Sequence, residues 1–162
     1  MKERYIITNI NPMKTKTIIE ELTQEDLVDL LCTATYGSSW LEIYAPDRMG
    51  IVVDDNDCRE DVWAKALLAG RKIHCVDYYA EGDAYGTLEH ETDDEENVIY
   101  HVSLQDIYEG LTKCADGTFK DANVNNWVAD CFNHFKDGEG EMDNPQAEAL
   151  MQVIMFGELI YG

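Results

Sequence analysis

Proline is scarce in this chain, cations are outnumbered, and no long apolar run occurs. Three prolines in 162 residues leave no Pro-rich linker between domains. Lysine and arginine total 12 against 33 aspartates and glutamates, a net charge of −21. Counterion release needs cations, so direct nucleic-acid binding is excluded. The longest apolar stretch, 149–156, is too short for a membrane span and is interrupted by Gln152. The five cysteines, Cys32, Cys58, Cys75, Cys114 and Cys131, are odd in number, scattered, and form no C-x-x-C. The expectation is reduced, mostly buried thiols in a cytosol. The apolar run that begins at Tyr5 is too short for a signal h-region, which agrees with a cytoplasmic location. Neither a G-x-S-x-G elbow nor a glycine-rich phosphate loop is present, so no motif names a reaction.

Apolar and aromatic material is plentiful. Hydrophobic residues make up 45%, with three Trp, nine Tyr and four Phe, enough to bury a core. Residues 1–24 hold four bases and three acids, so the rest of the chain carries a net −22. The acidity belongs to the body of the fold and not to a tail. No repeat or composition shift divides the chain, and one domain over 1–162 is expected.

Local signals order the elements. Arg4–Ile10 is a β-like run. Thr23 is an N-cap with Asp26 at N3, and Leu22 and Leu27 stand at the staple positions. Leu27, Leu30, Leu31 and Ala34 then form an apolar stripe. Trp40–Ala45 and Met49–Val53 read as strands, joined by the turn Ala45-Pro-Asp-Arg-Met-Gly50. A helix over Cys58–Ala69 carries Val62, Trp63, Ala66 and Leu67 on one face, with Gly70 as its stop. Lys72–Tyr79 is a strand, and Thr87–His90 with Asn97–Val102 make a hairpin. Ser103, with Asp106 at N3, starts a helix. Val124, Trp127, Val128, Cys131, Phe132 and Phe135 mark a second. Asn144 as cap and Pro145 in the first turn open a third, buried over Val153–Ile160. The fold class is therefore α+β, an antiparallel or mixed sheet covered by helices. Its order is β-α-β-β-α-β, a hairpin, then three helices, with 1–102 holding the sheet and 103–162 forming a helical subdomain. The first six elements follow the order of a split β-α-β unit. Trp127, Phe132, Phe135 and Ile154 are expected to be buried together.

Three constellations carry residue types that could do chemistry. Asp137, Glu139, Glu141 and Glu148 stand at positions 1, 3, 5 and 12 of an EF-hand loop, but Met142 replaces the glycine at position 6. An acidic linker is the expectation there. Asp54, Asp55 and Asp57 precede a helix, and one of these acids is expected to cap it, with a magnesium-assisted enzyme as the alternative. His74 and Cys75 are strand neighbours facing opposite ways, so they do not share a zinc ion. No catalytic residue, metal or cofactor is expected.

The charge itself remains to be explained. Duplex DNA carries one charge per ~1.7 Å, so this protein matches the phosphates of roughly ten base pairs. Such charge opposes folding by self-repulsion and exceeds what solubility needs. Glu81, Asp83, Glu89, Glu91, Asp93, Asp94, Glu95 and Glu96 fall within sixteen residues. In size and charge, with no catalytic motif, the chain resembles the small acidic anti-defence proteins of phages and mobile elements. These are anti-restriction and anti-CRISPR inhibitors, many of them DNA mimics. The resemblance implies a non-enzymatic inhibitor that occupies the nucleic-acid site of a basic host nuclease or its effector complex. The expected contacts are Asp54, Asp55, Asp57 and the eight acids of 81–96. An acidic regulator of another protein is a further alternative.

Overall fold

The computed structural model describes residues 6–11, 14–19, 22–54, 56–116 and 142–161, the first two stretches by their backbone alone. β1 (Ile6–Asn11) and β2 (Lys14–Ile19) pair antiparallel from Ile6↔Ile19 to Asn11↔Lys14. The strand expected at Arg4–Ile10 is thus one arm of a hairpin. Its partner begins Lys-Thr-Lys-Thr, whose polar residues give no apolar alternation to read.

α1 (Gln24–Thr35) starts as its capping box requires. The Thr23 side chain accepts from the Asp26 N–H at 3.1 Å, and Asp26 Oδ2 accepts from the Thr23 N–H at 2.9 Å. Leu22 and Leu27 are both buried beside it. β3 (Leu41–Ile43) follows, then a 3-10 turn (Pro46–Met49) that ends on Gly50 at φ +72°. Met49–Val53 is not a strand. Ile51 N–H returns to the Pro46 carbonyl at 2.9 Å, and Val52 is 94% exposed. A β-prone sequence without a neighbouring strand to pair with does not become one. α2 (Arg59–Leu68), β4 (Ile73–Asp77), β5 (His90–Thr92) and β6 (Val98–Val102) come next. The expected strand at Thr87–His90 is displaced to β5. α3 (Leu104–Asp116) begins at the Ser103–Asp106 box, and α4 (Asn144–Phe156) is the last described helix. The helix expected over Val124–Phe135, with Trp127, Phe132 and Phe135, lies outside the described residues.

The architecture is α+β. Strands β3-β4-β6-β5 form an antiparallel sheet, so the parallel pairing of a split β-α-β unit is not made. Helices cover one face: α1 touches α2 and α4, and α4 touches α3. Leu41, Ile43, Ile73, Cys75, Val98, Tyr100 and Val102 point into this core. There they meet Leu30, Leu31, Trp63, Leu67, Ile107, Leu111, Leu150 and Ile154.

The start and end of α4 differ from expectation. Asp143, not Asn144, is the N-cap, with Gln146 completing the box. Asn144 instead donates its amide to the carbonyls of Thr33 at 2.8 Å and Tyr36 at 3.1 Å. It thereby satisfies carbonyl groups left over at the end of α1. The helix stops at Phe156 because Gly157 adopts φ +78°. The chain then returns, held by Gln152 Oε1, which accepts from the N–H groups of Ile160 and Tyr161, both at 2.8 Å. Tyr161 Oη donates to buried Asp77 at 2.6 Å, and burial raises the Asp77 pKa.

Candidate functional site

The acidic segment leaves the core at the end of β4. Tyr79 N–H bonds Asp77 Oδ1 at 2.9 Å and turns the chain outward. Gly82, at φ +86°, donates its N–H to the Glu96 carbonyl at 2.8 Å. That bond sets the excursion from β4 beside the turn between β5 and β6. Glu81 and Asp83 are thereby brought toward Asp94, Glu95 and Glu96, and all five are exposed. Sequence separation gave no indication of this meeting.

The other acids of the segment are used within the fold. Asp93 shapes the β5–β6 turn: Oδ1 accepts from the Glu95 and Asn97 N–H groups, both at 2.9 Å, and Oδ2 from Asn97 Nδ2 at 3.1 Å. The Asn97 side chain holds its pKa below the ordinary value. Glu89 accepts from Lys72 Nζ at 3.0 Å and faces His101 Nδ1 at 2.9 Å. Lys72 and then His101 lower its pKa. Glu91 faces His101 Nε2 at 3.2 Å. Asp93, Glu89 and Glu91 therefore have partners within the fold, since a carboxylate within reach of a donor takes it up, while Glu89 and Glu91 stay exposed.

His101 stacks on His74, ring centroids 4.2 Å apart and planes within 4°. These two pair across β4 and β6 on the sheet face away from the helices. Tyr44 continues the row 5.9 Å from His74, and Arg48 Cζ lies 3.7 Å over the Tyr44 ring. Burial, then the neighbouring His101, lowers the His74 pKa.

The 54–57 cluster behaves differently from expectation. Asp54 Oδ1 accepts from the backbone and side-chain nitrogens of Asn56, closing a turn of its own. Asp57 pairs with Lys65 at 2.8 Å, which raises the lysine pKa. Neither caps α2. Its N-cap is Cys58, which makes no side-chain capping bond, and the thiol donates to Asp61 Oδ2 at 2.8 Å. The N-cap stands one residue past the acids, so their oxygens are not at the N-cap position. Asp55 lies outside the described residues. Cys32 and Cys58 are exposed while Cys75 and Cys114 are buried, so the described thiols are not mostly buried.

Among the described residues, no three His, Cys, Asp or Glu converge where a metal ion would sit. Of the EF-hand positions, 137–141 lie outside them. Glu148 sits half-buried within α4. Also among the described residues, no helix is long and apolar enough to cross a membrane.

A groove that sequence reading missed lies beside β3. Its volume is about 230 Å³, and Thr35, Ser38, Glu42, Arg59, Trp63 and Tyr78 line it together with the edge of β3. Tyr78 Oη donates to Glu42 Oε2 at 2.6 Å, an interaction that pushes the phenol pKa up to about 12. Tyr36, Tyr78 and Tyr79 are all exposed. The available signal was the Tyr78-Tyr79 pair at a strand end and Gly37-Ser-Ser39 after a helix. No family model, curated protein or solved structure matches the chain.

Proposed function

We propose that the protein is a non-enzymatic inhibitor that occupies the nucleic-acid site of a basic host nuclease, a CRISPR effector or a restriction enzyme. The observation that carries this reading is the exposed acidic end of the fold. Glu81, Asp83, Asp94, Glu95 and Glu96 meet there through the Gly82–Glu96 bond, in a chain of net charge −21. Among the described residues none of the five has an ion-pair partner. Exposed like charges steer a basic surface into encounter and repel nucleic acid. Asp54, Asp57, Glu89, Glu91 and Asp93 contribute to the field of this surface while holding internal bonds.

The test begins with capture from host lysate at low and high salt, followed by substrate competition with the nuclease recovered. Binding should weaken as salt shortens the Debye length to ~8 Å or less. Changing Asp94, Glu95 and Glu96 to Asn or Gln should slow association more than it speeds dissociation. If neither this variant nor one at Asp54 and Asp57 alters binding to any captured nuclease, the reading fails and the charge is a solubility feature.

A further inference from the structure

We infer that the groove beside β3 anchors an arginine or lysine side chain of a basic protein partner. The inference rests on the reading of the acidic end as a partner surface, and it names the residues that would hold the partner in place.

The chemistry of the groove sets the kind of occupant. Glu42 is exposed, and one of its carboxylate oxygens takes the Tyr78 hydroxyl. Its other oxygen has no partner among the described residues. Tyr78, Tyr79 and Tyr36 are 44%, 52% and 82% exposed, half of the large apolar residues that face solvent among the described residues. Tyr36 follows Thr35 of the groove wall. Tyr79 follows Tyr78, and its hydroxyl meets Ser39 Oγ at 2.6 Å. Rigid aromatic rings beside serine and glycine form an adaptable contact surface.

A guanidinium or ammonium fits such rings by cation–π attraction. The molecule already uses this pairing twice. Arg48 covers Tyr44, and Arg59 Cζ lies 5.3 Å from the Trp63 ring centroid. Arg59 is drawn to the α2 wall by Trp63 and Glu60, the latter at 3.4 Å. Glu42 and Tyr78, which line the same groove, are left for a second cation. A second copy of this chain brings another −21 of charge, and nucleic acid is repelled in the same way. Tyr78, which lines the groove, stands three residues before Glu81, the first acid of the 81–96 segment. Exposed aromatic residues that a partner buries are the kind of few residues that carry most of a binding energy.

The probe is an octa-arginine peptide, titrated calorimetrically with the full chain at two salt concentrations. A variant carrying Tyr36→Ser, Tyr78→Ser and Tyr79→Ser should bind about tenfold more weakly, with an unchanged salt slope. The rim variant Asp94→Asn, Glu95→Gln, Glu96→Gln should flatten the salt slope instead. Equal affinity for the tyrosine variant and wild type overturns the groove, and the rim variant then reports separately on the acidic surface. No saturable binding by the wild type overturns both. Sedimentation showing a dimer that the tyrosine substitutions dissociate gives the groove to a second copy and overturns the inference. If far-UV circular dichroism shows the triple variant misfolded, Tyr78→Phe with Glu42→Gln is measured in its place. An unchanged affinity there is equally fatal.

Discussion

The four-stranded sheet has one face under helices and the other covered mainly by side chains. Alternation along the strands assigns each residue to one or the other. Ile73, Cys75, Tyr100 and Val102 join a continuous core with all four described helices. His74, Val76, Ile99 and His101 face the other way. There Tyr44, Val76 and Ile99 form a small buried cluster closed by Met49 of the 3-10 turn. On the helix face, burial comes from close-packed hydrocarbon. On the outer face that small cluster lies beside the stacked His74 and His101 rings and the exposed carboxylates of Glu89 and Glu91. The two faces should therefore fail under different stresses, one by loss of volume and the other by change of pH.

The largest expected effect is on the helix face. Trp63 is 1% exposed, and its indole N–H donates to the Tyr44 carbonyl at 2.9 Å. Trp63→Ala should cost ~3–5 kcal/mol in denaturant unfolding, through lost packing and an unpaired carbonyl. Ile99→Ala, equally buried on the outer face, should cost nearer ~2 kcal/mol, because a layer one side chain thick relaxes more readily. Equal costs would mean that the outer face is packed as tightly as the core.

A smaller effect tests how tightly the helix face is filled. A methyl group at Gly110 of α3 would come within 3.1 Å of the Ile154 backbone and closer still to its side chain. Alanine normally favours a helix over glycine by ~1 kcal/mol. Gly110→Ala should nonetheless destabilise by ~1–3 kcal/mol, as overpacking does. A stabilised variant would show that α3 and α4 can move apart.

The smallest effect belongs to the histidine stack. His74 has a lowered pKa in the fold, so folding favours its neutral form. The stability this contributes is complete above the unfolded value of about 6.5 and is lost as pH falls through the folded value. His74→Gln should flatten the pH dependence of stability below about 6.5 while leaving neutral stability little changed. Parallel curves for the variant and wild type would remove His74 from the titration.

Local signals in the sequence located α1, α2, α3 and α4 to within a few residues. A capping box or a staple is satisfied by neighbours three to five positions away, so the rest of the fold need not be known. The Thr23–Asp26 and Ser103–Asp106 boxes are of this kind. Composition likewise fixed the charge and its concentration in 81–96. Where the strands pair was not legible. β2 carries no apolar alternation at its start, and Met49–Val53 looks like a strand but meets no neighbour. Nor could a carboxylate's duty be read from its position. Asp93, Glu89 and Glu91 resemble Asp94, Glu95 and Glu96 in sequence, yet the first three are occupied by Asn97, Lys72 and His101. The groove required Thr35, Glu42, Arg59 and Tyr78 to meet from four separate stretches. Charge, amphipathic stripes and helix starts are properties of short windows, and the sequence determined them. Strand order, the split between open and engaged acids, and the tyrosine-flanked groove depend on contacts between distant residues. Only burial of a shared core brings those contacts within bonding distance.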